Sequence, residues 1–492
     1  MIDNLLLGFT VALSVQNIIY CLIGVTLGLL VGILPGLGPA ATLAILLPYA
    51  HIGNPISSII MMAGIYYGSQ YGGSITAILL KLPGEASAVP SMLDGNAMAK
   101  KGYAGAALGI AGIASFIGGC FATICIAYFA PLLMDFALKF GAREYLALLF
   151  FAVFCVVLTH TESLIKGLIL LCMGMMLGMI GTDVGSGHVR YNFGFLELNS
   201  GISFITPIMA LYGITEILFH FSQKQELKNI VVKQQHIFSK KSIKLMLVSW
   251  KSILRGSVIG SFMGLMPGGG GALGSFVAYA IEKKIALKKV LFGKGDIRGV
   301  AGPEAANNAA AQTSFIPMLS LGFPINTVMV LIMTAIMIQG ITIGPSTAKN
   351  NVELFWGMIA SMYIGNLMLL WMSLAMIPFF IKIVNIPRTA IYIVVFLCCI
   401  YGAYSINYNL FDIYLMIFLG CIGFFLKKAR YEFTPLILGF IIGPKLEDNL
   451  RSFMHINNGN VYKLFQSNIS LVFYVFILVI ILYILRKKIK EL

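Results

Sequence analysis

The sequence predicts an all-α polytopic membrane protein of about 11 to 13 transmembrane segments, built from two inverted-topology repeats with re-entrant or broken helices. Three observations carry that prediction. First, 59% of the 492 residues are hydrophobic, only 11% are charged and the mean hydropathy is +0.90, which leaves too little polar surface to cover a water-soluble globule. Second, the apolar runs are long and unbroken rather than alternating with period two, as helices in a bilayer require and an outer-membrane barrel does not. Third, one string occurs twice: Gly24, Gly28, Gly32, Ile33, Leu34, Pro35, Gly36, Leu37, Gly38, Pro39, Ala40, and again Gly256, Gly260, Gly264, Leu265, Met266, Pro267, Gly268, Gly269, Gly270, Gly271, Ala272. A shared register of that length points to internal duplication.

Along the chain, apolar spans run over residues 15–34, 56–80, 104–131, 145–160, 163–182, 202–220, 253–266, 271–282, 305–322, 325–342, 352–381, 389–405, 411–426, 431–444 and 469–485. Residues 1–222 form the first repeat, 223–252 a basic cytoplasmic linker, and 253–492 the second repeat. At about 1.5 Å of rise per residue, a core about 30 Å thick needs roughly 20 residues, so 253–266 and 271–282 are too short to cross alone. Lys233, Lys240, Lys241, Lys244 and Lys251 precede this pair, and Lys283, Lys284, Lys288, Lys289 and Lys294 follow it. Both of its feet are therefore expected on the cytoplasmic side, joined by a turn at Pro267–Gly271 near mid-membrane. No Lys or Arg occurs before Lys81, so the first copy is free to stand on the opposite side, as an inverted repeat demands. The alternative is a single broken crossing helix in each half. The same rule places Lys100, Lys101, Lys166, Lys382, Arg388, Lys427, Lys428, Arg430 and the tail Arg486, Lys487, Lys488 inside. This clustering accounts for the net charge of +15 without invoking nucleic acid. The start of the chain has no basic region before its apolar core, so the first helix is expected to be retained rather than cleaved.

A second pair of breaks follows: Gly72, Gly73, Ser74 through Lys81, Leu82, Pro83, Gly84, Glu85, and Gln312, Thr313, Ser314 through Gly322, Phe323, Pro324, Ile325, Asn326, aligned with a shift of one residue. Proline removes a backbone donor and glycine admits tight turns, so each break frees amides and carbonyls that cannot face lipid. Helix N-termini among them attract anions and C-terminal carbonyls accept cations. The substrate-binding candidates are therefore Pro35, Gly36, Gly38, Ser74, Pro83, Gly84, Pro267, Gly268, Gly270, Asn307, Asn308, Pro324 and Asn326; the coupling-ion candidates are Glu304, Thr313 and Ser314. Competing structural readings stand beside these. Asn307 and Asn308 also suit helix–helix hydrogen bonds, Ser74 suits close packing, and Glu304, just after Pro303, suits a helix cap. The GxxxG glycines read as packing residues outside the site. Glu85, Glu162 and Glu216 lie near span ends and read as solvated, and the eight cysteines, without a CxxC pair, read as small buried hydrophobes. No histidine shows metal-ligand spacing, and neither a catalytic residue nor a cofactor is expected beyond a coupling cation.

At these residues the chain resembles the large membrane subunit, TctA, of the tripartite tricarboxylate transporters. The resemblance rests on Gly32-Ile-Leu-Pro-Gly-Leu-Gly-Pro39, Gly64-Ile-Tyr-Tyr-Gly-Ser-Gln-Tyr-Gly-Gly-Ser74, Leu82-Pro-Gly-Glu85, Leu93-Asp-Gly95, Met266-Pro-Gly-Gly-Gly-Gly271 and Gly302-Pro-Glu-Ala-Ala-Asn-Asn308. It implies a secondary transporter of the bacterial inner membrane that receives an organic carboxylate from a periplasmic solute-binding protein, works beside a small four-helix membrane subunit and is driven by Na+ or H+. Many relatives carry Pro-Gly where this chain has Pro324-Ile325-Asn326, which leaves the particular acid open. The rival readings are an ion or anion channel, which usually builds its pore from a ring of subunits, and a membrane enzyme acting on lipid-linked substrates, which is expected to carry paired acidic motifs at a membrane face.

Overall fold

In the computed structural model, described over residues 2–34, 38–48, 53–81, 84–159, 163–183, 185–222, 246–266, 270–286, 291–375 and 388–491, the chain is an all-α polytopic membrane protein. The first half runs α1 (Ile2–Ala12), α2 (Val15–Ile33), α3 (Pro39–Leu46), α4 (Pro55–Leu80), α5 (Val89–Met98), α6 (Ala104–Ala137), α7 (Ala142–Thr159), α8 (Leu164–Gly178), a hairpin of β1 (Gly181–Thr182) and β2 (Val189–Arg190), α9 (Ile205–Met209) and α10 (Thr215–Ser222). The second runs α11 (Trp250–Met263), α12 (Gly270–Ile285), α13 (Arg298–Thr313), α14 (Phe315–Leu321), α15 (Thr327–Ile338), α16 (Val352–Ala375), α17 (Arg388–Asn407), α18 (Leu410–Lys428), α19 (Thr434–Ile456) and α20 (Asn468–Glu491). The expected repeat boundary at 253 falls inside α11, and most of the linker lies outside the described residues. Five of the described helical stretches are by themselves long and apolar enough to cross a bilayer; glycine and proline cut much of the remaining apolar sequence into shorter pieces.

Two glycine seams explain why the halves fold alike. A methyl added to Gly24, Gly28 or Gly32 on α2 would stand 2.2, 2.4 or 2.2 Å from the carbonyl oxygens of Met61, Ile65 and Ser69 on α4. On α11, Gly256, Gly260 and Gly264 meet the carbonyls of Gly302, Ala306 and Ala310 on α13 at 2.2, 2.2 and 2.4 Å. Every fourth residue of one helix thus lies against backbone of the next, the closest approach two helices make, and only glycine leaves room for it. The displacement along the sequence that carries Met61 to Gly302 also carries Lys81 to Gly322 and Glu85 to Asn326. Both turns match in conformation: Lys81 has φ 57° and ψ 31°, Gly322 has φ 66° and ψ 26°. Glu85 and Asn326 are both extended, at φ −136° and −148°. The duplication is thus visible in backbone geometry as well as in sequence.

Because a left-handed lysine costs roughly 1 kcal/mol, Lys81→Gly is expected to raise thermal stability in detergent by about that amount. Gly322→Ala is expected to lower it, since its methyl would lie 2.5 Å from the carbonyl of Ile343. Equal melting temperatures for the two variants would contradict the equivalence of the turns.

The motif segments fold back on themselves as hairpins. Ser57 Oγ donates to Asn17 Oδ1 at 2.6 Å, so the chain that leaves at the start of α2 is back at the same end when α4 begins. In the second half Glu282, late in α12, pairs with Arg255 at 2.7 Å and accepts from Ser252 at 2.7 Å, both early in α11. The tip of the first hairpin lies beside Ser69, eleven residues or about 17 Å short of Leu80 along α4. The long sixth helix of the first half, α6, packs on α11 and α13 of the second, while α16 packs on α2 and α4 of the first. Each half is therefore gripped by a helix of the other.

Polar contacts between distant segments join ends that the charge pattern places on the same side. Lys101 Nζ donates to the carbonyl of Lys294, Lys166 Nζ to that of Ala429, and Lys427 pairs with Glu216. Elsewhere Lys349 pairs with Asp135, and Asp183 and Glu447 share Arg190 and Arg451 at 2.6–3.3 Å. The Ser186 hydroxyl, then Arg451 and Arg190, hold the Asp183 carboxyl below the usual aspartate range. A depressed acid contributes its stabilisation above its unfolded pKa and loses it only as pH falls through the folded value. The 181–201 hairpin is therefore expected to resist protease from neutrality down through about pH 4. Loosening at pH 5 would contradict this.

Candidate functional site

The four breaks meet on one stretch of α4. At the first tip, Gly32 lies against Ser69 and Gly72; at the second, Glu85 Oε1 accepts from Ser69 Oγ at 3.0 Å and Ser87 Oγ donates to Gln70 Oε1 at 2.9 Å. At the third, the open side of Gly271 faces Asn307 Oδ1 and Gln70 Oε1, and at the fourth Asn326 lies beside Tyr66, as does Ser314. Residues 66–73 are thus the common floor of all four. A helix begins just after each break: α3 after Gly38, α5 after the short turn Ala86–Ala88, α12 at Gly270 and α15 after Asn326.

Asn307 is wholly buried and neither atom of its amide has a protein partner; the same is true of Asn308 Oδ1 and Asn326 Nδ2. A buried amide without partners costs about 1–3 kcal/mol, so these groups mark a place where something polar belongs. Asn308 Nδ2 spends itself on the carbonyl of Glu304 at 3.2 Å, and Asn326 Oδ1 caps α15 by accepting from Met329 N at 2.9 Å. Gly38 and Gly270 open onto empty space, Gly270 with φ 48°. Gly84 does not: its Cβ direction is closed by the carbonyl of Gly32, so it serves the approach of two tips rather than a ligand. Pro324 is buried at the fourth break. Pro35, Gly36, Pro83, Pro267 and Gly268 lie outside the described residues, as does Glu162.

The three coupling-ion candidates do not come together. Glu304 and Ser314 are ten residues apart on one axis, about 15 Å. Thr313 and Ser314 turn their hydroxyls onto the carbonyls of Ala309 and Ala311 instead. Glu304 is joined by Ser74, whose Oγ lies 2.5 Å from Oε2, and by Ser115 of α6 at 3.4 Å. Ser74 thus belongs with the acid rather than with the substrate amides. Nor is Glu304 a helix cap: α13 begins at Arg298 and carries Pro303 inside it. The acid is fully buried, its Oε1 has no partner, and Ser91 Oγ and Tyr71 OH, both unpaired, lie close by along α5 and α4. A void of about 10 Å³ lined by Tyr71, Ser74, Ser115 and Ser373 adjoins it, room for a single water or bare ion.

Sequence reasoning missed Gln70, Glu85, Ser115 and Asp94. Gln70 carried the same signal as Asn307, an amide in an apolar run. Glu85 is half-buried, with Ser69 and Ser87 holding its carboxyl against α4. Asp94, wholly buried, accepts from the amides of Gly295 and Asp296 at 2.8 Å each and from Tyr279 at 2.9 Å, tying α5 to the entry of α13. Ser115 had no local signal.

A membrane protein whose repeated helix breaks gather around buried, unpaired polar groups has the build of a secondary transporter. The chain belongs to the tripartite tricarboxylate transporter TctA family, whose signature matches residues 18–438, and that family is one of transporters. It is 43% identical over 460 residues to an uncharacterised 52.8 kDa protein in the TAR-I ttuC′ 3′ region of Agrobacterium vitis, covering 94% of this chain and 91% of that one. It is also 48% identical over 201 residues to an uncharacterised protein in the TAR-II ttuC′ 3′ region of the same organism, 41% of this chain and 83% of that one. No solved structure matches.

Proposed function

We propose that this chain is the large transmembrane subunit of a binding-protein-dependent importer of organic carboxylates in the bacterial inner membrane, driven by a Na+ or H+ gradient. A periplasmic solute-binding protein delivers the acid, and a small four-helix membrane subunit accompanies the chain. The observation that carries this reading is the set of helix N-termini at one level beside the unpaired amide of Asn307. Each N-terminus offers about half a positive charge and free backbone amides. An anion with several carboxylates is the ligand such a cradle suits, and it needs no lysine or arginine. The buried acid Glu304 supplies the complementary group, since a carboxylate in a dry site demands a cation or a proton.

The test is uptake and binding of labelled citrate, malate and succinate by the chain with its small subunit. Asn307→Ala removes one charge-assisted hydrogen bond and is expected to weaken apparent affinity by about 10- to 100-fold. Unchanged affinity would place the substrate elsewhere.

A further inference from the structure

Two carboxyls, Glu304 wholly buried and Glu85 half-buried, hang from the same glutamine. Ser87 Oγ, 2.9 Å from Gln70 Oε1, is 3.3 Å from Glu85 Oε2; Ser74 Oγ, 3.1 Å from the main-chain oxygen of Gln70, is 2.5 Å from Glu304 Oε2. Ser69 Oγ completes the set, 2.7 Å from the carbonyl of Tyr66 and 3.0 Å from Glu85 Oε1. With Ser115 Oγ on Glu304 Oε2 at 3.4 Å, and one proton on each hydroxyl, four protons face six acceptor atoms. Neither acid has an ion-pair partner among the described residues. The other titratable groups facing them are the phenols of Tyr66, beside Glu85, and Tyr71, beside Glu304, with the Cys120 thiol of α6 near Tyr71. With both acids ionised the cluster would hold two negative charges with no cation beside them, and Glu304 Oε1 would have no donor at all.

The fold does not need an acid at position 85. Its equivalent, Asn326, occupies the same extended conformation and caps the following helix; Glu85 makes no such cap bond and turns to Ser69 and Ser87 instead. Symmetric backbone therefore carries asymmetric chemistry, with one half supplying an amide and the other a carboxyl.

We propose that Glu85 is a second coupling-cation site, separate from Glu304, and that each cycle carries at least two cations, one on each carboxyl. This rests on the reading of the chain as a cation-driven carboxylate importer and adds a site and a stoichiometry to it. The cations enter first, because an anionic substrate set beside two bare carboxylates is repelled until both are neutralised. Gln70, bonded to both sides, makes each acid sensitive to the occupancy of the other.

The experiment is equilibrium binding of labelled citrate, malate and succinate to the detergent-purified complex, titrated with NaCl at fixed pH and, separately, with pH in the absence of Na+. In the wild type the cation dependence is expected to have a slope of about two in whichever series couples; Glu85→Gln, isosteric and permanently neutral, is expected to reduce it to about one while keeping substrate binding, as is Glu304→Gln. A slope near one in the wild type, or a slope that Glu85→Gln leaves unchanged, overturns the proposal and leaves the importer reading intact. Substrate binding with no dependence on either cation overturns the importer reading itself.

Discussion

Gly260→Leu is expected to abolish the folded protein. The first carbon of the new side chain would stand 2.2 Å from the carbonyl oxygen of Ala306 and 2.6 Å from its Cα, both backbone atoms that cannot swing away. α11 would have to lift off α13, and α12, where a methyl added to Gly274 would stand 3.5 Å from Gly260 Cα and 3.4 Å from the Ala306 carbonyl oxygen, would lose its seat with it. Overpacking at a backbone contact costs about 3 kcal/mol or more, enough to empty the native state of a marginally stable protein. The readout is the monodisperse fraction of a fluorescent fusion on size exclusion. Gly28→Leu, against the Ile65 carbonyl at 2.4 Å, is expected to behave the same way, while Gly38→Leu, with nothing within 4 Å of its Cβ, is expected to keep the fold. Normal folding of Gly260→Leu would contradict the seam.

Glu304→Gln is expected to do the opposite: preserve the fold and weaken coupling by removing one of the two cations. Glutamine keeps the shape and the acceptor facing Ser74 but cannot hold a cation or carry a proton. Gradient-driven accumulation is expected to fall by about 100-fold, the scale of a lost charged ligand worth about 3 kcal/mol. Uphill accumulation at the wild-type level, measured with the same reconstituted complex, would remove Glu304 from the coupling mechanism.

The glycine and proline pattern made the helix breaks legible in the sequence, because those residues alone supply close approach and missing donors. The packing role of Gly24, Gly28 and Gly32 was legible for the same reason. The surroundings of the acid were not. Ser74 and Glu304 are 230 residues apart in sequence, and no local period connects them. Grouping Glu304 with Thr313 and Ser314 followed proximity in the chain, whereas on a helix ten residues of separation is distance rather than contact. The hydroxyl partners of Glu85 were hidden too, because a span end next to Lys81 looks wholly solvated in one dimension. In three, the chain turns at Lys81 and climbs back along α4 to Ser69, carrying Glu85 inward. The exchange of α6 and α16 between halves left no trace in composition, since both are simply long apolar helices.

The most direct test of the central claim is transport itself: uptake of labelled di- and tricarboxylates into proteoliposomes holding this chain and its small subunit, with a candidate binding protein outside and Na+ and H+ gradients imposed separately. The four-break site with its buried acid predicts uphill accumulation that requires both the binding protein and one of the gradients. Downhill leak of ions or acids, indifferent to gradient and binding protein, would contradict it and make the chain a channel.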